Sequence, residues 1–145
     1  MTPEPRAVRR QDRAQDEAFI VEAFARIPWG TLAVADGAGP PHVNTNLFVH
    51  LGEPDRIYVH TARAGALADV VRVAGEEGAA ASFTAAAMGR LLPADEALEF
   101  SVEYAGVTAT GRVVEVEDDV EAEHALQALL DRYAPHLRPG RDYRP

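Results

Sequence analysis

Apolar positions along this 145-residue chain change their spacing several times, and each change marks an element. From Asp16 onward, Ile20, Ala23, Phe24 and Ile27 recur at i, i+3, i+4 and i+7, the spacing of a one-faced helix that Pro28 stops. Strand-like runs follow at residues 30–35, 42–50 and 56–60, separated by turn-forming stretches at 36–41 and 51–55. Leu67, Val70, Val71 and Ala74 restore helical spacing, and the stretch from Gly75 to Gly78 closes that helix. Residues 79–84 read as a strand and 85–98 as a long connection; loops of that length are uncommon and often functional. Residues 99–110 and 112–116 read as one long or bent strand pair, with Gly106 and Gly111 marking a bulge or corner. Asp118 or Asp119 then caps a helix lined on one face by Ala122, Leu126, Leu129, Leu130 and Tyr133 and ended by Pro135.

About six short strands with only three helices predict a mainly β fold, an antiparallel β-barrel with flanking helices. A doubly wound parallel sheet needs more helical crossovers than this. The domain reading is a polar arm over 1–15 and a single barrel domain over 16–145.

Composition narrows the chemistry. The chain has no cysteine, which excludes disulfides, thiolate nucleophiles and zinc–sulfur sites. All 14 basic residues are arginine, so lysine Schiff bases and the lysine of a phosphate loop are excluded too. A net charge of −9 argues against broad nucleic-acid binding but leaves room for a local positive pocket. No apolar run approaches the roughly 18 residues of a membrane span, and no signal-like segment follows the early arginines, so the expectation is a cytoplasmic protein without a membrane partner.

The candidate chemistry sits where the third strand run ends. His60-Thr-Ala-Arg-Ala-Gly65, just ahead of a helix, gathers a hydroxyl, a guanidinium and free backbone N–H donors, a combination that suits a phosphate. His60 is the candidate for proton transfer near neutral pH; a half-buried histidine bonded to backbone is the equal alternative. Within 42–50, Asn44 and Thr45 are polar neighbours of which only one can point inward. His42 and His50, read as the two ends of one strand, share a face but lie about 27 Å apart and cannot hold one metal. His124 is expected in solvent among Glu121 and Glu123, and no metal site is expected. Trp29, at the helix-to-strand corner, is expected as a core anchor, and the run 115–119 as an exposed strand end and helix cap.

The strings Arg9-Arg10-x-Asp12-Arg13, Gly30-Thr-Leu-Ala-Val-Ala35, Pro41-His-Val-Asn-Thr-Asn46, Ile57-Tyr-Val-His-Thr-Ala-Arg-Ala-Gly65 and Gly111-Arg-Val-Val-Glu-Val116, in this order, resemble the FMN-binding split barrels of the pyridoxamine 5′-phosphate oxidases, nearest their nitroimidazole-resistance reductase-like branch. The resemblance implies a homodimer with FMN in a cleft between subunits, and a deazaflavin or haem as alternatives. It implies an oxidoreductase that takes electrons from a nicotinamide cofactor and acts on a small organic substrate, or else a non-catalytic binding module or structural dimer. It implies cofactor contacts at His42, Val43, Asn44, Thr45 and Asn46 along the ring, and at His60, Thr61, Ala62, Arg63, Gly65 and Leu67 near the phosphate, with His60 catalytic. Where the family carries a basic pair after the glycine, Ala66 and Leu67 stand instead, so Arg63 or a second subunit's Arg90 is expected to supply the charge, with Met88 and Gly89 beside it over the ligand. Relatives continue past the last helix with another strand; the expectation is a short or truncated barrel with an edge left unpaired.

Overall fold

Asp16 starts the first helix, α1 (Glu17–Arg26), by accepting the Phe19 N–H at 3.0 Å, a cap worth about 0.5–2 kcal/mol. The computed structural model describes residues 7–35, 37, 39–53 and 55–144. The first six residues of the expected arm, Asp36 and Ala38 of the first turn, Pro54 of the second and Pro145 lie outside the described residues. Ala23, Phe24 and Ile27 are buried as the periodicity predicts, whereas Ile20 stays at the rim, 37% exposed.

Six strands follow: β1 (Gly30–Ala35), β2 (His42–Asn46), β3 (Phe48–Gly52), β4 (Asp55–Val59), β5 (Ala79–Leu92) and β6 (Ser101–Val113). An antiparallel sheet runs in the order β2-β1-β5-β6, and β3 with β4 makes a separate hairpin. Helix α2 (Ala66–Ala74) packs on β1, β2 and β5, and α3 (Asp119–Tyr133) on β3. The result is the antiparallel split β-barrel with flanking helices that the sequence predicts. Among the described residues, no helix is long and apolar enough to cross a membrane.

Phe48 is the centre of the core. It is fully buried, with its ring edge-on to Phe83 at 4.8 Å and to Phe24 at 5.8 Å. Leu32, Val34 and Ala85 come from the large sheet, Leu67 and Val71 from α2. A Cβ on Gly30 would fall 2.2 Å from Phe83 Cζ, so only glycine lets that ring lie against β1. A second cluster joins Val49 and Tyr58 to Ala125 of α3.

The structure corrects the sequence reading in several places. The run 42–50 is two strands, interrupted at half-exposed Leu47 and assigned to different sheets. His42 and His50 therefore do not share a strand face; His50 bonds Asp55 at 2.7 Å and leans on the Phe24 ring. The switch is held by α3: Arg132 donates to the carbonyls of Phe48 at 3.0 Å and Ile27 at 2.6 Å, and the Tyr133 hydroxyl lies 2.7 Å from the Pro28 carbonyl and 2.8 Å from that of Phe48.

The expected loop over 85–98 is largely strand, because β5 keeps pairing with β6 as far as Leu92↔Ser101. Its alanines have weak strand propensity, and cross-strand pairing overrides it. Gly106 and Gly111 lie in regular register opposite Ala86 and Ala81; the irregularity falls on β5, between Met88 and Leu91. Residues 97–99 form a 3-10 turn, and β6 stops at Val113, short of the expected Val116. Trp29 is 61% exposed and is not a core anchor; the buried residue at that corner is Ile27, 4% exposed. Asp118 caps α3 by accepting the Glu121 N–H at 2.7 Å. The most buried position of that helix is Ala125, while Leu126 is 44% exposed.

Phe48→Ala is expected to lower unfolding free energy by about 3–5 kcal/mol in urea denaturation. Tyr133→Phe, which keeps the ring and removes the hydroxyl at the switch, is expected to lower it by about 1–3 kcal/mol. Equal stability of Tyr133→Phe and the parent would show that the switch is held without that hydroxyl.

Candidate cofactor-binding site

Tyr58, buried in β4, anchors the strand from which the candidate corner leaves. The chain then emerges through residues 60–66, all exposed, before Leu67 turns back into the core. Gly65 makes this turn at φ 118°, a conformation that L side chains rarely adopt. It starts α2 without a side-chain cap, so the N–H groups of the first turn carry no carboxylate or hydroxyl partner. The positive end of the helix dipole is thus available to an anion.

The Arg72 guanidinium fixes this corner from below, donating to the Arg63 carbonyl at 3.1 Å and to Asp69 at 2.8 Å. Among the described residues the Arg63 guanidinium and the Thr61 hydroxyl have no hydrogen-bond partner of their own. The donor set of uncapped N–H groups, one hydroxyl and one uncommitted guanidinium fits a phosphate oxyanion.

His60, Thr61, Ala62 and Arg63 line a cleft of about 300 Å³. Its floor is Leu67 and Val71 of α2, and its far wall is Val114, Val116 and the Ala122, Leu126 and Leu129 side of α3. Leu67 is only 6% exposed and packs in the core, so its side chain offers the cleft an apolar edge and no charge.

The other expected contacts lie elsewhere. Residues 42–46 form β2 and do not line this cleft. His42, Asn44 and Asn46 are half-buried on the side of Leu32 and Val34, whereas Val43 and Thr45 are exposed on the opposite face. A planar ligand on one face of β2 meets only one of these sets through side chains. Arg90 lies far out on the β5–β6 hairpin, where it holds Glu103 at 2.7 Å and 3.1 Å. Its guanidinium is therefore committed to a carboxylate, and contact with an anion would require it to leave Glu103. His124 is exposed, and the described residues contain no group of three His, Asp or Glu able to hold a metal.

One part of the site escaped the sequence reading. Tyr58 donates its hydroxyl to Glu121 at 2.7 Å, and Arg56 pairs with the same carboxylate. These three groups tie β4 to the first turn of α3. The Tyr58 hydroxyl and the Arg56 guanidinium, in that order, hold the Glu121 carboxyl below its usual range. Burial, and then the Glu121 carboxylate, pushes the Tyr58 hydroxyl up. Sequence carried no signal for this contact, because 63 residues separate Tyr58 from Glu121.

The sequence model of the pyridoxamine 5′-phosphate oxidase family matches residues 16–144. No curated protein matches the chain. Among solved structures, the FAD and heme binding protein from Mycobacterium smegmatis is similar at 24% identity and a TM-score of 0.72, over 88% of this chain and 60% of that one. The flavocytochrome Anf3 from Azotobacter vinelandii is similar at 23% identity and a TM-score of 0.71, over 86% of this chain and 56% of that one. The chain thus spans less than two thirds of the length of either. The conserved hypothetical protein Rv2991 from Mycobacterium tuberculosis shares 20% identity at a TM-score of 0.64, over 88% of this chain and 70% of that one. At these identities the likenesses establish the fold.

The Glu121 contact makes a pH-dependent prediction. A carboxyl held below its ordinary 4.5 stabilises the fold above that pH and loses the contribution as pH falls through its depressed value. Glu121→Gln is therefore expected to melt below the parent at pH 7, with the gap closing under pH 4.5. Parallel melting curves from neutral to acid pH would remove the carboxylate from the contact.

Proposed function

The chain belongs to the pyridoxamine 5′-phosphate oxidase family, and from that premise we propose that it binds a flavin, FMN first among the candidates, as a homodimeric oxidoreductase acting on a small organic substrate. The carrying observation is the corner at residues 61–65, where an uncapped helix start, the Thr61 hydroxyl and the uncommitted Arg63 guanidinium converge beside a cleft of mixed polar and apolar lining. Two fold neighbours that are named as flavin- or haem-associated proteins support the cofactor class.

In this reading Arg63 and the first-turn N–H groups of α2 hold the phosphate. Thr61 adds a hydroxyl donor, and Gly65 allows the approach. Val114, Leu126 and Leu129 give the cleft an apolar wall for the body of the ligand. His60, exposed at its rim, supplies or accepts a proton. A bound flavin supplies the electron transfer itself, fed by a nicotinamide cofactor. A cytoplasmic setting belongs to the same proposal.

The homodimer rests on the outward face of the four-stranded sheet. Cross-strand rows there read Val43–Ala33–Ser82–Thr110 and Thr45–Thr31–Thr84–Thr108, with Met88 beside Tyr104 beyond them. These positions carry no charge in a chain of net charge −9, the composition of a face that meets a partner. A second copy placed there is the source of any contact that Val43, Thr45 or Arg90 makes with the cofactor.

A second reading, a flavin, deazaflavin or haem carrier without turnover, is favoured by one observation. Leu67 fills the core and Ala66 is small, so the start of α2 adds no cation to Arg63. Both readings predict a coloured protein as purified, and they part on reduction by a nicotinamide cofactor. Arg63→Ala is expected to weaken FMN binding roughly ten- to a hundredfold in a fluorescence titration; unchanged affinity removes Arg63 from the site. His60→Ala is expected to slow turnover more than it weakens binding, and equal loss of both would make His60 a cofactor contact only.

A further inference from the structure

Tyr58 meets α3 at two points. It shares a buried cluster with Val49 and Ala125, and its hydroxyl donates to Glu121 at 2.7 Å. Glu121 and Ala125 are four residues apart and lie on one face of the helix. One side chain therefore sets both the distance of α3 from β4 and its rotation about its own axis. Glu121 is itself fixed: its N–H donates to Asp118 at 2.7 Å, and Arg56 pairs with the same carboxylate oxygen that receives the Tyr58 hydroxyl. At the far end of α3, Arg132 and Tyr133 hold the Phe48 carbonyl, which leaves Tyr58 and Glu121 to place the half of the helix nearer its start.

That half is a wall of the corner cleft. Its lining residues on α3 begin at Ala122, immediately after Glu121, and continue through Ala125 and Leu126. The opposite wall begins at His60, two residues after Tyr58, and continues to Arg63. The bond from Tyr58 to Glu121 thus joins the two walls at their roots. The candidate phosphate donors stand on one side alone: Thr61, Arg63 and the first-turn N–H groups of α2. Leu126, on the other side, is still 44% exposed, apolar surface that the body of a ligand covers. Moving the α3 wall therefore changes the contacts of the ligand body and leaves the phosphate corner as it is.

We infer that Tyr58 and Glu121 are positioning residues of the corner cleft: their hydrogen bond holds the α3 wall at the spacing that fits the body of a flavin, an inference that rests on the flavin reading above. They act through the wall and not on the phosphate. By linkage, a ligand that touches both walls binds more tightly when the bond is made, and its binding strengthens the bond in return.

The test titrates FMN, and riboflavin as the flavin without a phosphate, into the parent, Tyr58→Phe, Glu121→Gln and the double variant, following flavin fluorescence well below every melting midpoint. Each protein is then fully folded, so a loss of global stability alone leaves affinity unchanged. Tyr58→Phe and Glu121→Gln are each expected to weaken FMN and riboflavin alike, by roughly fivefold or more. The double variant is expected to bind no more weakly than Glu121→Gln, because both changes remove one bond. Arg63→Ala is expected to weaken FMN and spare riboflavin, so the ratio of the two affinities separates the wall from the phosphate corner. FMN is expected to slow amide exchange over residues 119–126 in the parent, and to slow it less in Tyr58→Phe. Equal affinities in parent and Tyr58→Phe, an altered FMN-to-riboflavin ratio in that variant, additive losses in the double variant, or exchange over 119–126 indifferent to FMN overturns the inference and leaves flavin binding standing. A parent that binds neither flavin overturns the flavin reading, and the inference with it.

Discussion

Everything in this molecule depends on how the chain leaves one sheet for the other between Asn46 and Phe48. Changing sheets strips backbone groups of their ladder partners inside the protein, and an unpaired buried carbonyl or N–H costs about 1–3 kcal/mol. The last turn of α3 removes that cost. Arg132 bridges the carbonyls of Ile27 and Phe48, and the Tyr133 hydroxyl reaches those of Pro28 and Phe48. The guanidinium also lies 4.6 Å from the Phe48 ring centre, so a single helix end holds both the backbone and the side chain of the switch residue. No buried side-chain polar atom among the described residues is left without a partner, although the switch and its two arginine-held carbonyls sit beside the core.

Placing the switch places the candidate site. Phe48 begins β3, β3 sets the register of β4 through Phe48↔Val59, and β4 delivers His60 to the surface one residue later. The Tyr58–Glu121–Arg56 contact then binds β4 to the opposite end of α3. Helix α3 therefore clamps the small hairpin at both ends: Arg132 and Tyr133 fix where it starts, and Glu121 fixes where it releases the chain. Tyr58 lines the corner cleft and also a larger cleft between β4 and β6, so the same clamp stands between the two.

How far the sequence disclosed this follows from the range of each interaction. Local signals read well. Asp16, Gly65 and Asp118 mark helix starts because caps and positive φ are encoded within a few residues, and α2 begins one residue after the glycine. Alternation revealed β1 but joined β2 to β3, since an alternating run looks the same whether or not it changes sheets. The alanine run at 85–87 concealed the outer half of β5, because its strand character comes only from β6 opposite. Trp29 misled for a related reason: its size and position suggested an anchor, but the chain at that corner turns Ile27 inward and leaves the indole in solvent. Within the candidate corner, residues 60–63 and 67 could be grouped from sequence because they are contiguous. Their far wall on α3, and the Glu121 contact behind it, could not.

The corner also carries a constraint that its sequence alone does not explain. A helix that starts at a surface glycine and turns at once into the core must make one first-turn residue apolar, and here that residue is Leu67. A cation at that position would lie among Phe48, Val71 and Leu32, where burial of an unpaired charge costs several kcal/mol. Positive charge for an anionic ligand must then come from the exposed approach to the helix, where Arg63 stands, or from outside the subunit. The remaining arginines near α2 and the hairpin are already committed, Arg72 to Asp69 and the Arg63 carbonyl, Arg90 to Glu103. Their occupation makes Arg63 the residue on which anion binding at this corner turns.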